Sequence, residues 1–263
     1  NEIEVLYMRL DILYDYVDHF IICESKISHS GKIKKDDYIF NKQKKLYEKF
    51  LDKIIFIPFD ETNFTGVGDT AKNNKVNDWP NENKQRQWMY NEIKKFDGET
   101  LVAISDVDEI WDPSNIQHIK NNVETKVVCG VIQTLTYYYI NCLKEQPWRG
   151  TYFIKRKDLN FNRIQHLRNL RNRLPSYVNG GWHFSWLGDV DKIKEKFQCI
   201  AEHDIIEEHC TEENIKNCIT NISDLFGRNG HLGNIKSIDI NDKILPKNIK
   251  HYVDKFPEIY YSK

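Results

Sequence analysis

Leu101-Val102-Ala103-Ile104-Ser105-Asp106-Val107-Asp108-Glu109-Ile110 decides how this chain is read. An apolar run stops abruptly at two carboxylates one residue apart. The run predicts a buried strand that delivers Asp-x-Asp to its C-terminal edge. Residues i and i+2 of a strand point the same way. In a turn beyond the strand end, one carboxylate can meet a divalent cation directly while the other works through water or a ribose. Oxygen ligands suit Mg2+ or Mn2+, which keep waters and share phosphate oxygens. A diphosphate bridged by such a cation is a good leaving group, so the stretch points to a sugar-transferring enzyme with a nucleotide-sugar donor.

The same string fits other chemistry. A strand ending Asp-x-Asp also forms the nucleophile motif of haloacid-dehalogenase-like phosphatases, where the first Asp attacks phosphorus and the second is acid/base. That motif belongs on the first strand of its domain, whereas about a hundred residues of α/β pattern precede Asp106 here. An EF-hand is excluded because the loop lacks the required Gly and the later Glu. The blandest reading is a loop with two solvated acids or a helix N-cap.

Composition narrows the setting. The chain has 263 residues, 40% hydrophobic, 13% aromatic, with a formal net charge of −1. That is enough for a substantial core, and no global field favours nucleic acid or an anionic membrane. Its 14 Tyr and 6 Trp suit a core and also stack on sugar rings. Six cysteines, at 23, 129, 142, 199, 210 and 218, include no Cys-x-x-Cys pair. They read as reduced thiols in a cytoplasmic setting, against the alternative of a disulfide set. In that compartment the sequons at Asn63 and Asn221 carry no meaning. No signal peptide or bilayer-spanning run is present. The chain opens at Asn1 without a Met, and an upstream segment is expected to have been removed.

Helix and strand patterns alternate in the first half, which favours a mostly parallel central sheet flanked by helices. Leu6, Leu10, Leu13 and Val17 recur at helical spacing. Phe20 to Cys23 predicts a strand ending at Glu24-Ser25, and Ile54 to Ile57 another, stopped by Pro58. A helix is expected around Gln43 to Leu51, a long polar loop over 60–80, and a helix from about Glu82 to Phe96. Asp112-Pro113 supplies an N-cap and first-turn proline for a helix through Ile119. Strands follow at Val127–Gln133, Thr136–Asn141, Thr151–Lys155 and Gly181–Trp186. Asp189 caps a helix striped by Ile193, Phe197 and Ile200, and Thr211 another striped by Ile215, Ile219 and Ile222. The Lys-rich tail from 235 is expected to wrap the domain. We expect one domain, with residues 1–112 the nucleotide-binding half and 113–263 the acceptor-side half and tail.

Further candidates surround the Asp pair. Ligands of open parallel sheets bind beyond strand C-termini, which makes Glu24 a candidate partner of a base or ribose. Arg86 suits bidentate phosphate contact, against a plain surface role. Trp79 and Trp88 read as core or lid residues. Lys155 to Arg173 holds seven Lys/Arg against one acid and reads as a solvated loop ahead of a contact with a diphosphate or an acidic acceptor. In Gly180-Gly181-Trp182-His183-Phe184-Ser185-Trp186 the glycines permit close backbone approach. Trp182 and Trp186 are expected on one face, with His183 and Ser185 on the other. His183 is a candidate third metal ligand or phosphate contact, against a satisfied core histidine. Asp189, then Glu202, then Asp204 are candidate general bases.

Taken in order, these strings resemble glycosyltransferase family seventeen, the β-1,4-mannosyl-glycoprotein 4-β-N-acetylglucosaminyltransferase-like enzymes, in its bacterial and viral form. The matching strings are Asn1-Glu2 with Leu6, Arg9 and Leu10; Val17-Asp18, Phe20-Ile21-Ile22 and Glu24-Ser25; and Gly31-Lys32. Trp79 with Gln85-Arg86 follows, then Ser105 to Ile110, then Gly181 to Trp186. They span about three-quarters of the chain. The resemblance implies a GT-A-like fold and an inverting transfer of GlcNAc from UDP-GlcNAc to a carbohydrate hydroxyl of a glycan or glycolipid. It places Mn2+ or Mg2+ on Asp106 and Asp108, Glu24 near the uridine, and Glu2, Arg9, Arg86 and His183 with the donor. Two departures stand out. Members carry a short strand before the Asn-Glu pair, and a sheet lacking it is expected to be incomplete or differently edged. The family's His-x-Glu-like string is replaced by Ala201-Glu202-His203-Asp204, which leaves the base open. The alternatives to a transferase are the phosphatase, a non-catalytic sugar-binding module built on the tryptophans, and a structural protein.

Overall fold

The computed structural model describes residues 2–28, 36–60, 79–199, 209–228 and 233–262. The chain enters through α1 (Ile3–Leu13), whose Val5, Met8, Leu10 and Leu13 are buried, and a 3-10 turn (Tyr14–Tyr16) leads to β1 (Phe20–Ser25). A short α2 (Ile39–Lys42) precedes Lys44–Lys53, where the expected α-helix is a 3-10 helix. Next comes β2 (Ile54–Phe59). Pro58 does not stop this strand but pairs with Glu24 in register. Among the described residues β2 has β1 as its one ladder partner, and an edge strand tolerates the missing N–H.

The helix expected from Glu82 to Phe96 is two, α3 (Trp79–Trp88) and α4 (Tyr90–Ile93). They lead into β3 (Leu101–Ile104) and β4 (Glu109–Trp111). Asp112 accepts from the Ser114 amide to start a 3-10 turn, and α5 (Ile116–Lys126) runs about two turns beyond its expected end. The two strands expected over 127–141 are one, β5 (Val128–Tyr137). β6 (Cys142–Lys144) and β7 (Trp148–Lys155) follow, then α6 (Phe161–Asn169), β8 (Ser176–Tyr177) and β9 (Gly181–Ser185). The chain closes with α7 (Val190–Cys199), α8 (Glu212–Asn221), β10 (Ile235–Ser237) and α9 (Ile249–Lys255). Asp189 and Thr211 cap α7 and α8 as expected, through the Lys192 and Asn214 amides.

The central sheet is mixed, which corrects the expectation of a mostly parallel one. β1 and β2 form a separate parallel pair, and the other eight strands form one sheet organised on β5. β5 is parallel to β8 and β9 but antiparallel to β6 and β7; β3–β7, β4–β9 and β6–β10 are antiparallel too. No ladder joins β1 to β3. Between them lies a cavity of about 620 Å³, lined by Leu10 and Leu13 of α1, Ile22 of β1, Ala103 of β3 and Ile93 of α4.

The largest apolar cluster joins α1, the 3-10 helix at 44–53, β4, β5 and the tail, with Leu10, Phe50, Trp111, Phe153 and Tyr252 fully buried. It draws on both expected halves of the chain. Tail residues Leu245, Ile249, Tyr252 and Ile259 belong to it, so the tail does wrap the domain. A second cluster packs α7 and α8 on the end of β5 around Tyr138, Trp186 and Phe197. Trp182 and Trp186 do not share a face: β9 ends at Ser185, Trp186 turns at φ +55°, and Trp182 packs against the first cluster. Cys23, Cys129, Cys142, Cys210 and Cys218 are free thiols. No helix among the described residues is long and apolar enough to cross a membrane.

Gly181 fixes the β4–β9 junction. It pairs with Trp111 at φ +124°, and a Cβ there would overlap the Ile110 carbonyl oxygen and the Asp112 nitrogen. Gly181→Ala adds both backbone strain and a steric clash. It is expected to lower the thermal midpoint by roughly 5 °C; an unchanged midpoint in a melting scan would contradict this packing.

Candidate active site

Asp106 and Asp108 lie on the tight turn between β3 and β4, closed by the Glu109 amide donating to the Asp106 carbonyl at 3.2 Å. The turn is held from below by Arg9 of α1. Its guanidinium donates to the Asp106 carbonyl at 3.1 Å, the Glu109 carbonyl at 2.8 Å and the Ser105 hydroxyl at 2.5 Å. Arg9 therefore shapes the backbone of the turn.

The two carboxylates have different surroundings. Both Asp106 oxygens are in ion pairs: Arg86 of α3 donates to Oδ1 through Nε (3.3 Å) and Nη2 (3.0 Å), and Arg168 of α6 donates to Oδ2. Arg86 also holds Gln165 and Glu82, each at 2.8 Å. Asp108 is buried, with Oδ2 at 3.3 Å from His183 Nε2 on β9 and 3.5 Å from Lys196 Nζ on α7. Lys196 in turn binds Glu2 at 2.7 Å. Four of the predicted residues, Arg86, Asp106, Asp108 and His183, thus meet at one place, with Glu2 and Arg9 attached to it.

Glu109 is fully buried and organises the far side. It accepts from Trp148 Nε1 (2.7 Å), from Arg168 (2.7 and 2.9 Å) and from the Asp106 amide (2.9 Å). Register explains this convergence. Glu109, His183 and Leu135 stand side by side on β4, β9 and β5, and Gln133, two residues from Leu135, is opposite Trp148 of β7. Cross-strand neighbours share a face, so the sheet presents Glu109, His183, Gln133 and Trp148 together. Gly150 leaves room for them, since a Cβ there would overlap Gln133 Oε1 and the Glu109 carboxyl. Among the described residues, His183 Nδ1 and Gln133 Oε1 are buried without a hydrogen-bond partner. With the proton on Nε2 facing Asp108, both are unspent acceptors on this face.

Two of the remaining candidates hold helix starts. Glu24 accepts from the Ile39 and Phe40 amides at 2.7 and 2.9 Å, capping α2. Asp189 is exposed and caps α7. Glu202 and Asp204, like Gly31-Lys32 and most of the polar loop, lie outside the described residues. Sequence reading gave no role to Glu109, Arg168, Lys196 or Trp148. A signal existed for Arg168: it follows Ile164 by four residues and sits on the buried stripe of α6.

A divalent cation can be tested against this chemistry. Among the described residues no three His, Cys, Asp or Glu side chains form a ready-made metal cage. Cations that work with phosphates need less, one or two carboxylates with the other ligands from phosphate and water. Asp108 with His183 fits that requirement, while Asp106 would have to exchange an arginine for the metal.

The family model of glycosyltransferase family 17 matches residues 1–230. The chain belongs to that family and is a glycosyltransferase, an enzyme that moves a sugar from a donor to an acceptor. No curated protein and no solved structure matches it.

Burial alone would raise both aspartate pKa values. For Asp106, Arg168 and Arg86 outweigh it; for Asp108, His183 and Lys196 do. Both carboxyls are therefore held well below the ordinary value of about 4. A group whose pKa falls on folding stabilises the fold above its unfolded pKa, and that contribution disappears as pH drops through the folded one. Thermal stability is expected to hold down to about pH 5 and to decline from about pH 4 downward, less steeply in Asp108→Asn. Identical profiles for the two proteins between about pH 4 and 2 would contradict this electrostatic arrangement.

Proposed function

We propose that the chain is a GT-A-like, metal-dependent, inverting transferase that moves GlcNAc from UDP-GlcNAc to a hydroxyl of a glycan or glycolipid. The observation that carries this reading is the meeting of Asp108 with His183 at the turn after β3, inside a cluster of Arg86, Arg168 and Lys196. One carboxylate and one imidazole beside several fixed cations suit a cation-bound diphosphate.

In this mechanism Asp108 and His183, joined by Asp106, would hold Mn2+ or Mg2+. When bound, the cation supplies charge neutralisation to the UDP leaving group. Arg9 keeps the turn rigid, so the carboxylates meet the donor already oriented. Arg86 contacts the donor phosphates, and Glu2 and Glu24 border the nucleotide. A carboxylate of the second half takes the proton of the acceptor hydroxyl, with Asp189 preferred over Glu202 and Asp204. The hydroxyl attacks the anomeric carbon on the face opposite UDP, and configuration inverts. Residues 1–112 form the nucleotide half of this scheme and 113–263 the acceptor half. The phosphatase alternative fits less well, because a nucleophilic Asp106 would have both oxygens tied to arginines.

Calorimetric titration of UDP with and without Mn2+ tests the reading. Mn2+ is expected to strengthen UDP binding about tenfold or more. Asp108→Asn, with an unchanged far-UV spectrum, is expected to lose that enhancement together with turnover of UDP-GlcNAc. Metal-independent binding in the wild type, or full turnover by the variant, would overturn it. Among UDP-sugars, UDP-GlcNAc is expected to be consumed fastest, with an inverted anomeric product by NMR; preference for another sugar would remove the GlcNAc assignment.

A further inference from the structure

Seven basic residues lie between Lys155 and Arg173, and five of them can be separated by what their side chains already hold. Lys155 pairs with Glu99 and Glu124, Lys157 with Glu99, and Arg163 donates to the Asp158 carbonyl. Arg168 is committed to Asp106, Glu109 and the Gly150 carbonyl. The other cations around the Asp pair are equally engaged: Arg9 with the turn, Arg86 with Asp106, Glu82 and Gln165, Lys196 with Glu2 and Asp108.

Arg171 is different. It opens the 3-10 turn Arg171–Arg173 after α6, and its guanidinium lies over the Trp148 ring at 4.9 Å. Its one side-chain hydrogen bond recorded among the described residues is a long one, from Nη1 to the Arg168 carbonyl at 3.4 Å. The indole beneath it is pinned: Nε1 donates to Glu109, and the ring packs on His183 at 4.8 Å. Arg171 is thus half-buried, with most of its five N–H groups unspent, and its platform also touches the partner of Asp108. Burial first, and then the charge of Arg168, lower its pKa, which marks a cation short of counter-charge. A guanidinium fixed on an aromatic ring with a free fork is suited to a bidentate oxyanion. Within the cluster it can accept an incoming anion without breaking an ion pair.

We propose that Arg171, held on Trp148, is a donor-binding residue that grips the diphosphate of the nucleotide-sugar donor beside Asp108 and His183. The proposal rests on the nucleotide-sugar reading of the site. It assigns a donor contact to a stretch whose sequence reads as a solvated loop.

Calorimetry with UDP and with uridine, in Mn2+, on wild type, Arg171→Ala and Arg171→Lys separates the possibilities. Losing a bidentate charge-assisted contact is expected to weaken UDP binding about tenfold or more. Uridine binding should stay within about twofold, and the lysine variant should recover part of the UDP affinity. Wild-type UDP affinity in Arg171→Ala would overturn the assignment of Arg171 while leaving the nucleotide-sugar reading intact. Equal loss of UDP and uridine would overturn it in favour of a purely structural role, and a lowered thermal midpoint would accompany that result. Absence of UDP binding by the wild type would overturn both.

Discussion

Arg168 bridges Asp106 and Glu109, and the architecture of the site depends on that bridge. Glu109 is fully buried, and a buried carboxylate is tolerable only when paired and hydrogen-bonded. Arg168 supplies the charge, Trp148 and the Asp106 amide the remaining bonds. Breaking such a pair from one side costs about 3–5 kcal/mol, because the surviving charge is stranded. The bridge therefore ties α6 and β7 to the turn between β3 and β4, and through Trp148 to His183 on β9. Elements far apart in sequence are locked into one constellation by charge neutralisation in a poorly solvated place.

The same balance sets what the site can bind. Acids and bases there are nearly matched, and most groups are paired with one another in the ligand-free protein. Ligands must therefore exchange for existing contacts or use the few groups left unspent. Among the described residues His183 Nδ1 and the guanidinium of Arg171 are such groups, and both side chains lie against a single indole. A diphosphate with its cation brings both signs of charge together, so it can enter without leaving either set of residues uncompensated.

The sequence exposed the element at the centre of this arrangement because its signal is local. An apolar run cut off by Asp106 and Asp108 announces a strand end, and the caps at Asp189 and Thr211 follow from side-chain chemistry within four residues. Sheet direction was not legible, since β5 pairs antiparallel with β7 over 128–133 and parallel with β9 over 134–137, one continuous strand serving both directions. Nor did sequence reveal that 128–137 is one strand; Thr134, in the gap between the two expected strands, favours strand as its neighbours do. Arg168 and Glu109 escaped notice for a related reason. A charged residue reads as solvated until its partner, 59 positions away, is known. The spacing of Arg168 from Ile164 was the available clue, and the basic residues around it masked that clue.

The most direct measurement is a crystal structure of the protein grown with UDP and Mn2+, using anomalous scattering to locate the metal. The account predicts a manganese peak in coordination contact with Asp108 and His183, with the diphosphate lying between it and Trp148. A manganese–UDP complex bound elsewhere on the molecule, with Asp108 and His183 still paired only to each other and to Lys196, would contradict it.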